Sequence, residues 1–369
     1  MRAEYVMIGG FLGAGKTTAV LALARALTAQ GRRVGLITND QSVGLVDTAL
    51  AAAGGFPVEE ITGGCFCCRF TSLTEAADRL QTRAAPDVFV AEPVGSCTDL
   101  RASVSYPLRR LYGDAYRVAP LSVMVDPVRA LRLFKVEPGA AFSPRVQYVY
   151  EKQLEEADLI VINKVDLVEP PRLARLHQEL TSRFPRAEVL TVSARHGTGL
   201  PEWFERVFAG QLGVGDAPDV DYDVYADGEA RLGWFNATIH VTSGGMVDGN
   251  ALLVSLARGI QQRLAAVGVE IAHCKMTLAA DELGGDLAAL NLVRTDGEPE
   301  LSHRLADPIA SGELLLNLRG EGSPDTLRDT VLSALAEAER GAGAPRLEVA
   351  HAEAFSPPRP TPTYRMATA

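Results

Sequence analysis

The 369-residue chain has few histidines, no excess of positive charge and no apolar run as long as a membrane span. A transmembrane helix needs roughly 20 consecutive apolar residues, so we expect no membrane-spanning segment. The formal net charge of -10 disfavours non-specific binding to nucleic acid or to an anionic membrane. A predicted strand occupies the first ten residues in place of a secretion signal, so the expected location is the cytoplasm.

Cysteine is also scarce, and its placement is not that of a secreted disulfide framework. Three of the five cysteines, Cys65, Cys67 and Cys68, lie within four residues and follow two glycines. Thiolates at this spacing can ligate one soft or borderline cation, and zinc is the expected ion. The alternative is that they are small buried hydrophobic side chains, which is the interpretation we favour for the isolated Cys97 and Cys274.

A phosphate-binding pattern stands near the N-terminus. Residues 10–17 contain two glycines separated by four residues and followed directly by Lys16 and Thr17, which is the P-loop spacing. An apolar segment precedes the loop and a helix-period segment follows it, as a P-loop requires. We expect backbone N–H groups to bind phosphate oxygens, Lys16 to neutralise their charge and Thr17 to ligate Mg²⁺. The predicted phosphate-binding residues are Gly10, Gly13, Ala14, Gly15, Lys16, Thr17 and Thr18.

Carboxylates that follow later strands are candidates for Mg²⁺ binding and hydrolysis. A polar loop after the second predicted strand offers Asn39, Asp40 and Asp47 as switch residues, with a solvated turn as the equal alternative. Glu92 follows the apolar strand 88–91, where a carboxylate can meet Mg²⁺, directly or through water, or orient the attacking water. The predicted catalytic residues are Lys16, Thr17 and Glu92, and the predicted Mg²⁺ ligands are Thr17, Asp47 and Glu92.

Guanine specificity is predicted by Asn163-Lys164-Val165-Asp166, which directly follows the apolar strand 159–162. The carboxylate of such an Asp accepts hydrogen bonds from the guanine N1–H and exocyclic amine, which adenine does not offer in that pattern. The expected nucleotide is therefore GTP. A later strand ends in a loop suited to holding the base from its other side, and we expect His196 beyond it to lie in solvent. The predicted base-binding residues are Asn163, Lys164, Asp166, Ser193 and Ala194.

Taken together in this order, the motifs resemble those of the CobW/HypB/UreG class of P-loop GTPases, and most closely its CobW-like branch. The resemblance covers residues 1 to 210, and Gly-Gly-Cys-Phe-Cys-Cys at 63–68 is its most specific part. It implies an α/β fold of the SIMIBI type, with a mostly parallel sheet and helices on both faces. It also implies that a metal or metal cofactor is delivered to a client protein. In that class the three clustered cysteines would hold the cargo, Glu92 would lie in the second switch and Asp166 would select guanine.

The second half departs from the family pattern and predicts a smaller α+β domain with the order β-α-β-β-β-α. His240 and His273 fall on polar strand faces, for which solvation is favoured over a second metal site. The Pro-rich C-terminal tail is expected to be disordered or extended. The predicted organisation is a GTPase domain at 1–210, an acidic linker at 211–233, the α+β domain at 234–341 and the tail at 342–369.

Two functional hypotheses follow. The first is a GTP-hydrolysing metallochaperone that delivers cargo from the Cys-x-Cys-Cys cluster to a client metalloprotein or cofactor-dependent enzyme. The alternative is a GTP-dependent regulatory or activator module without metal transfer, whose cysteines pack or sense redox state. A small-molecule kinase is disfavoured by the guanine motif, and a homodimer is left open. Retention of metal by the purified protein separates the first two hypotheses.

Overall fold

A computed structural model describes residues 2–39, 46, 54–210, 216–281, 286–341 and 343–368. The chain divides into two units. The first unit consists of residues 1–43, 50–228 and 359–369, and the second of residues 44–49 and 229–358. In the part of the chain that the structure describes, none of the helices combines the length and hydrophobicity that a membrane crossing needs.

The first unit is built on a parallel sheet. Its strands are β1 (Ala3–Gly10), β2 (Val34–Asn39), β3 (Val58–Ile61), β4 (Val88–Glu92), β5 (Tyr116–Val118), β6 (Ser122–Val125), β7 (Leu159–Ile162) and β8 (Glu188–Thr191). The order across the sheet is β3-β2-β4-β1-β6-β7-β8, with β5 also paired to β1. The strand pairs are parallel. Their carboxyl ends therefore meet at one edge, where ligands bind in open α/β sheets.

Helices follow most of these strands and cover apolar side chains. They are α1 (Lys16–Ala29), α2 (Phe70–Ala84), α3 (Tyr106–Leu111), α4 (Pro127–Leu133), α5 (Pro144–Glu155), α6 (Pro170–Arg183) and α7 (Leu200–Ala209). Val6 and Ile8 of β1 belong to a core cluster with α1 and α7. Tyr5 alternates with Val6 along β1, and its ring stacks on Phe89 of β4 with ring centroids 6.2 Å apart. Strands buried on both faces read as nearly continuous apolar runs, as β4, β6 and β7 do, and the predicted α/β fold is confirmed.

The second unit has an antiparallel sheet and two helices among its described residues. The elements are β9 (Leu232–Val247), α9 (Gly249–Ala266), β10 (Glu270–Ala280), β11 (Leu287–Leu292), β12 (Glu300–His303), β13 (Ile309–Glu321), α10 (Pro324–Ala338) and β14 (Arg346–Phe355). The order across the sheet is β12-β11-β10-β13-β9-β14. The predicted α+β fold is confirmed. Cys274 lies in the core of this unit, as expected. β13 lies between the strands that carry His240 and His273, so these strands are not neighbours.

Three elements of the structure lie where the sequence predicts neither a strand nor a helix. β12 was not predicted, and β14 lies inside the predicted tail. β14 is an edge strand that is mostly exposed, and a register shift between Val349 and His351 interrupts its alternation of polar and apolar residues, so no continuous buried pattern marks it in the sequence. Helix α8 (Tyr222–Ala230) lies inside the predicted linker. Asp221 starts it by accepting hydrogen bonds from the N–H groups of Asp223 and Val224, so its acidic residues act partly as a helix cap.

A buried carboxyl group follows α5. Oε2 of Glu156 accepts a hydrogen bond from the backbone N–H of Arg101 (2.8 Å), and Oε1 accepts one from the Thr98 hydroxyl (3.3 Å). Burial disfavours the charged form and raises the pKa of Glu156 to about 8. Glu156 thus fixes the loop that follows β4 through a group whose proton is retained in the folded state.

We predict that the free energy of unfolding decreases as pH rises from about 5 to about 8, because of Glu156. The unfolded carboxyl ionises near pH 4, so between the two pKa values the folded state binds more protons, and stability falls with increasing pH. Unfolding midpoints in urea should show this slope for the wild type. In Glu156→Gln, which keeps an acceptor for Arg101, the slope should be flatter. Equal slopes for the two proteins would contradict the assignment.

Candidate functional site

The loop between β1 and α1 has the geometry of a phosphate cradle. Gly10, Gly13 and Gly15 have φ angles of 127°, 79° and 88°, which residues with a side chain rarely adopt. A Cβ at Gly15 would lie 2.4 Å from Nδ2 of Asn163. The loop opens the N-terminus of α1, where backbone N–H groups favour an anion. The cradle therefore fits the triphosphate that the sequence predicts.

The Thr17 hydroxyl and the Glu92 carboxylate meet beside this loop. Thr17 Oγ1 donates to Glu92 Oε1 at 3.0 Å, although the two residues are 75 positions apart. A hydroxyl and a carboxylate oxygen are hard ligands of the kind Mg²⁺ prefers, so the pair fits that ion. Lys16 is 7% exposed, and its ammonium group donates to the carbonyl of Phe11 within the loop at 3.4 Å. The predicted Asp40 and Asp47 lie outside the described residues.

Asn163 joins the phosphate loop to the loop after β8. Its amide nitrogen donates to the carbonyl of Ala14 (2.9 Å), and its amide oxygen accepts from the N–H of Ala194 (2.9 Å). Both partners were predicted to bind nucleotide. Because one side chain bridges them, the phosphate and base ends of the site are held at a fixed separation.

Lys164 adds a second bridge, to Asp126, which is not among the site residues predicted from the sequence. Its ammonium group donates to the carbonyl of Gly13 at 2.5 Å and pairs with Asp126 Oδ2 at 2.9 Å. Asp126 also caps α4, since it accepts from the N–H of Arg129. A signal for Asp126 was available: it ends an apolar strand and precedes a proline at the start of a helix.

Asp166 lies in a short 3₁₀ turn, Val165–Leu167, that follows β7. Its Oδ1 accepts from the Ser193 hydroxyl at 2.5 Å, and the Ser193 hydroxyl accepts from the N–H of His196. The His196 side chain is 58% exposed, as expected, and its Nε2 lies 3.7 Å from Asp166 Oδ2. The structure thus brings the predicted base-binding residues together. Thr18, in the first turn of α1, is exposed.

The three clustered cysteines converge on one point. The Sγ atoms of Cys65 and Cys67 are 2.8 Å apart, those of Cys65 and Cys68 are 3.4 Å apart, and those of Cys67 and Cys68 are 3.6 Å apart. A zinc ion with Zn–S bonds of about 2.3 Å holds tetrahedral sulfurs about 3.8 Å from each other. To accept such an ion, the sulfurs of Cys65 and Cys67 must separate by about 1 Å and the other two pairs by less, so three thiols on one loop fit the metal after a local adjustment.

Hydrogen bonding distributes the protons of this cluster unevenly. Hydrogen bonds from the thiols of Cys67 and Cys68 hold the pKa of Cys65 well below its ordinary value. The same bond to Cys65 raises the pKa of Cys68 to about 11. The thiolate is the form that ligates metal, so the lowered pKa of Cys65 favours ligation.

Asn39, predicted as a switch residue, holds the cysteine loop. Its amide nitrogen donates to the carbonyls of Ile61 (3.0 Å) and Gly64 (2.8 Å), and its amide oxygen accepts from the N–H of Phe66 (2.9 Å). The loop is therefore tied to the end of β2. Thr38 of β2 pairs with Glu92 of β4 across the sheet. Asn39, which holds the cysteine loop, directly follows Thr38 in the chain.

The C-terminal segment 359–368, which we call the strap, lies against the same loop. The N–H of Thr361 donates to the sulfur of Cys68 at 3.2 Å. Thr363 donates its N–H to the Cys67 carbonyl (2.9 Å) and its hydroxyl to the Cys68 carbonyl (3.0 Å). Of the two alternatives for the tail, the structure shows extended chain here, fixed by these hydrogen bonds.

Side chains of the strap strengthen this attachment to the first unit. The ring of Tyr364 packs edge-on against Phe70 at the start of α2, with centroids 5.2 Å apart. Arg365 donates to Asp99 Oδ2 at 2.9 Å, and the Tyr222 hydroxyl donates to the same oxygen at 2.6 Å. The strap is therefore attached both to α2, which follows the cysteine loop, and to Asp99 in the segment after β4.

Comparison with known proteins identifies the family to which the nucleotide-binding part of the chain belongs. Residues 4–191 match the model of the family described as CobW/HypB/UreG, nucleotide-binding domain. The chain belongs to this family. The predicted CobW-like resemblance is thereby confirmed, because the curated relatives of this CobW/HypB/UreG member include proteins named zinc chaperone CobW.

One such relative, from Sinorhizobium sp, is 29% identical over 235 residues, which cover 58% of this chain and 64% of that protein. Another, from Pseudomonas aeruginosa, is 26% identical over 220 residues, covering 53% of this chain and 57% of that protein. This CobW-family chain thus spans less than two thirds of their length. Among solved structures, the Zn(II)-bound YjiA GTPase from E. coli is 18% identical with a TM-score of 0.39, covering 92% of this chain and 100% of that one.

Proposed function

We propose that this CobW-family chain binds and hydrolyses Mg²⁺-GTP and carries a zinc-like ion on its cysteine loop for delivery to a client protein. The observation that supports this most is the convergence of three sulfurs, 2.8–3.6 Å apart, on a loop anchored at the end of β2. The two relatives named zinc chaperone CobW favour the same function.

Each residue of the nucleotide site has a role that its contacts favour. Lys16 would neutralise phosphate charge, and Thr17 with Glu92 would hold Mg²⁺, which when bound supplies a further positive charge against the transferred phosphoryl group. Asp166 would accept hydrogen bonds from guanine, with Ser193 orienting its carboxylate. Asn163 and the paired Lys164 would keep the phosphate loop and the base loop in register.

A short path in the structure favours coupling between nucleotide and metal. Glu92 pairs across the sheet with Thr38, and the next residue, Asn39, makes three hydrogen bonds to the cysteine loop. A change in the position of Glu92 or of β2 would therefore move the cysteine loop and the three sulfurs on it. Coupling of two sites through such an element is reciprocal, so nucleotide and metal would tighten each other by the same factor.

We predict that the metal site binds zinc about 5–150-fold more tightly with Mg²⁺ and a non-hydrolysable GTP analogue than with GDP. The expected stoichiometry is one ion per chain. A colorimetric zinc chelator titrated against the two nucleotide states measures the affinity. Because the thiols release protons on ligation, the affinity should also fall below neutral pH.

The control pair for this experiment is built from cysteines. A Cys67→Ser, Cys68→Ser double variant should lose tight binding, whereas Cys274→Ser, altered in the core of the second unit, should keep it. Equal zinc affinity with GDP and with the analogue would reduce the cluster to a static site. Absence of tight zinc binding by the wild type would remove the metallochaperone function itself.

A further inference from the structure

A fourth sulfur lies next to the three clustered cysteines. The thiol of Cys97 forms hydrogen bonds with the thiols of Cys65 and Cys67, and its side chain is 1% exposed. Cys97 belongs to a different loop, the one that follows β4 and begins after Glu92. The Sγ atoms of Cys65, Cys67 and Cys68 all lie within 4.8 Å of one another, and Cys97 adjoins two members of this group from a segment that is distant in the sequence.

The backbone around Cys97 is fixed by directed polar contacts. The N–H of Cys97 donates to the carbonyl of Val94 at 3.0 Å and closes a turn. The amide of Gln153, buried on α5, donates to the carbonyls of Gly95 (2.9 Å) and Cys97 (2.8 Å). These contacts hold in place the backbone from which the Cys97 thiol reaches Cys65 and Cys67.

We propose that Cys97 is a fourth thiolate ligand, so that the transported ion is held by four sulfurs from two loops. This inference rests on the proposed function and deepens it. Four thiolates in tetrahedral arrangement suit zinc and fill its coordination sphere. On binding, each protonated thiol forms one sulfur–metal bond and passes its proton to solvent buffer. The oxidation states of sulfur and zinc do not change.

The position of Cys97 connects the ion to the phosphate loop. Gly95, two residues earlier, packs so closely on that loop that a Cβ would lie 2.8 Å from Leu12 Cδ2 and 3.0 Å from the Leu12 nitrogen. Glu92, which contacts Thr17, stands at the start of the same loop. A shift of this loop after hydrolysis would withdraw Cys97 and leave three sulfurs on the ion. The vacated position could then accept a ligand from the client.

The test is cobalt and zinc binding to the full chain in the presence of the GTP analogue. Sulfur-to-cobalt charge-transfer absorption scales with the number of bound thiolates, so Cys97→Ser should lose roughly one quarter of it. Zinc affinity should fall at least about tenfold, and zinc binding should release one proton fewer per ion. The ratio of zinc affinities between the GTP-analogue and GDP states should approach one. Cys274→Ser is the matched control and should retain all four values.

Folding and function are checked separately. Cys97→Ala should show the same losses, and metal-free thermal unfolding and binding of a fluorescent GTP analogue verify that each variant is folded. If the wild type binds metal but Cys97→Ser keeps its absorption, proton count and affinity, the four-sulfur site is wrong and the three-cysteine carrier stands. If the wild type binds neither cobalt nor zinc, the proposed function fails as well.

Discussion

Replacing Asp166 with Asn is expected to weaken GTP binding by about 10²–10⁴-fold and to shift preference toward xanthosine triphosphate. The guanine N1–H and amine need an acceptor, and an amide nitrogen placed there donates instead. Xanthine carries a carbonyl where guanine carries the amine, so it can accept from the new group. The Asn amide oxygen can still accept from the Ser193 hydroxyl, which now bonds Asp166 at 2.5 Å, so the 3₁₀ turn should persist.

Displacement of a fluorescent guanine nucleotide by GTP and by xanthosine triphosphate measures this switch. Rescue by xanthosine triphosphate is an internal control, since a misfolded variant would bind neither nucleotide. His196→Ala, which changes an exposed neighbour of Asp166, should keep the preference for GTP. Unchanged GTP affinity in Asp166→Asn would place guanine recognition elsewhere.

The second large effect is expected at the phosphate loop, where Lys16→Ala should lower GTP hydrolysis by at least about 10²–10³-fold. Lys16 is nearly fully buried against the loop it serves, and Lys164, whose ammonium group also contacts this loop, already pairs with Asp126. Glu92→Gln gives a graded comparison. It retains an oxygen acceptor for the Thr17 hydroxyl and removes only the negative charge. It should bind GTP but hydrolyse it more slowly than the wild type.

Single-turnover phosphate release, measured with enzyme in excess, separates hydrolysis from product release. Nucleotide affinity is measured in parallel, so that a binding defect is not taken for a chemical one. Normal turnover by Glu92→Gln, together with an inactive Lys16→Ala, would remove the Glu92 charge from the mechanism and leave the phosphate loop in place. Normal turnover by Lys16→Ala would overturn the assignment of the loop.

The parts of the site that the sequence predicts are those built from neighbouring residues. The P-loop spacing ending in Lys16 and Thr17, and the motif ending in Asp166, each depend on a few consecutive positions in a strand–loop context. The cysteine triplet is equally local. Backbone geometry over such short stretches is fixed by residue type and spacing, which are visible without the fold.

The parts that the sequence could not predict depend on the order of strands. The bond from Asn39 to the cysteine loop exists because β2 lies between β3 and β4. The approach of Cys97 to Cys65 follows from the same adjacency, and the pairing of Lys164 with Asp126 follows from the pairing of β6 with β7. A cysteine far from the triplet in sequence has no local spacing to mark it, so Cys97 was interpreted as packing.

The strap has a consequence for the order in which the protein is made. Thr361 contacts Cys68 across 293 positions, and residues 229–358 of the second unit leave the ribosome between them. Pairings of such long sequence separation form late in folding. A growing chain that ends before residue 359 already carries the phosphate loop, Asp166 and the cysteines, but not the strap. During translation the nucleotide site is therefore complete in sequence before the cysteine loop acquires its last hydrogen bonds.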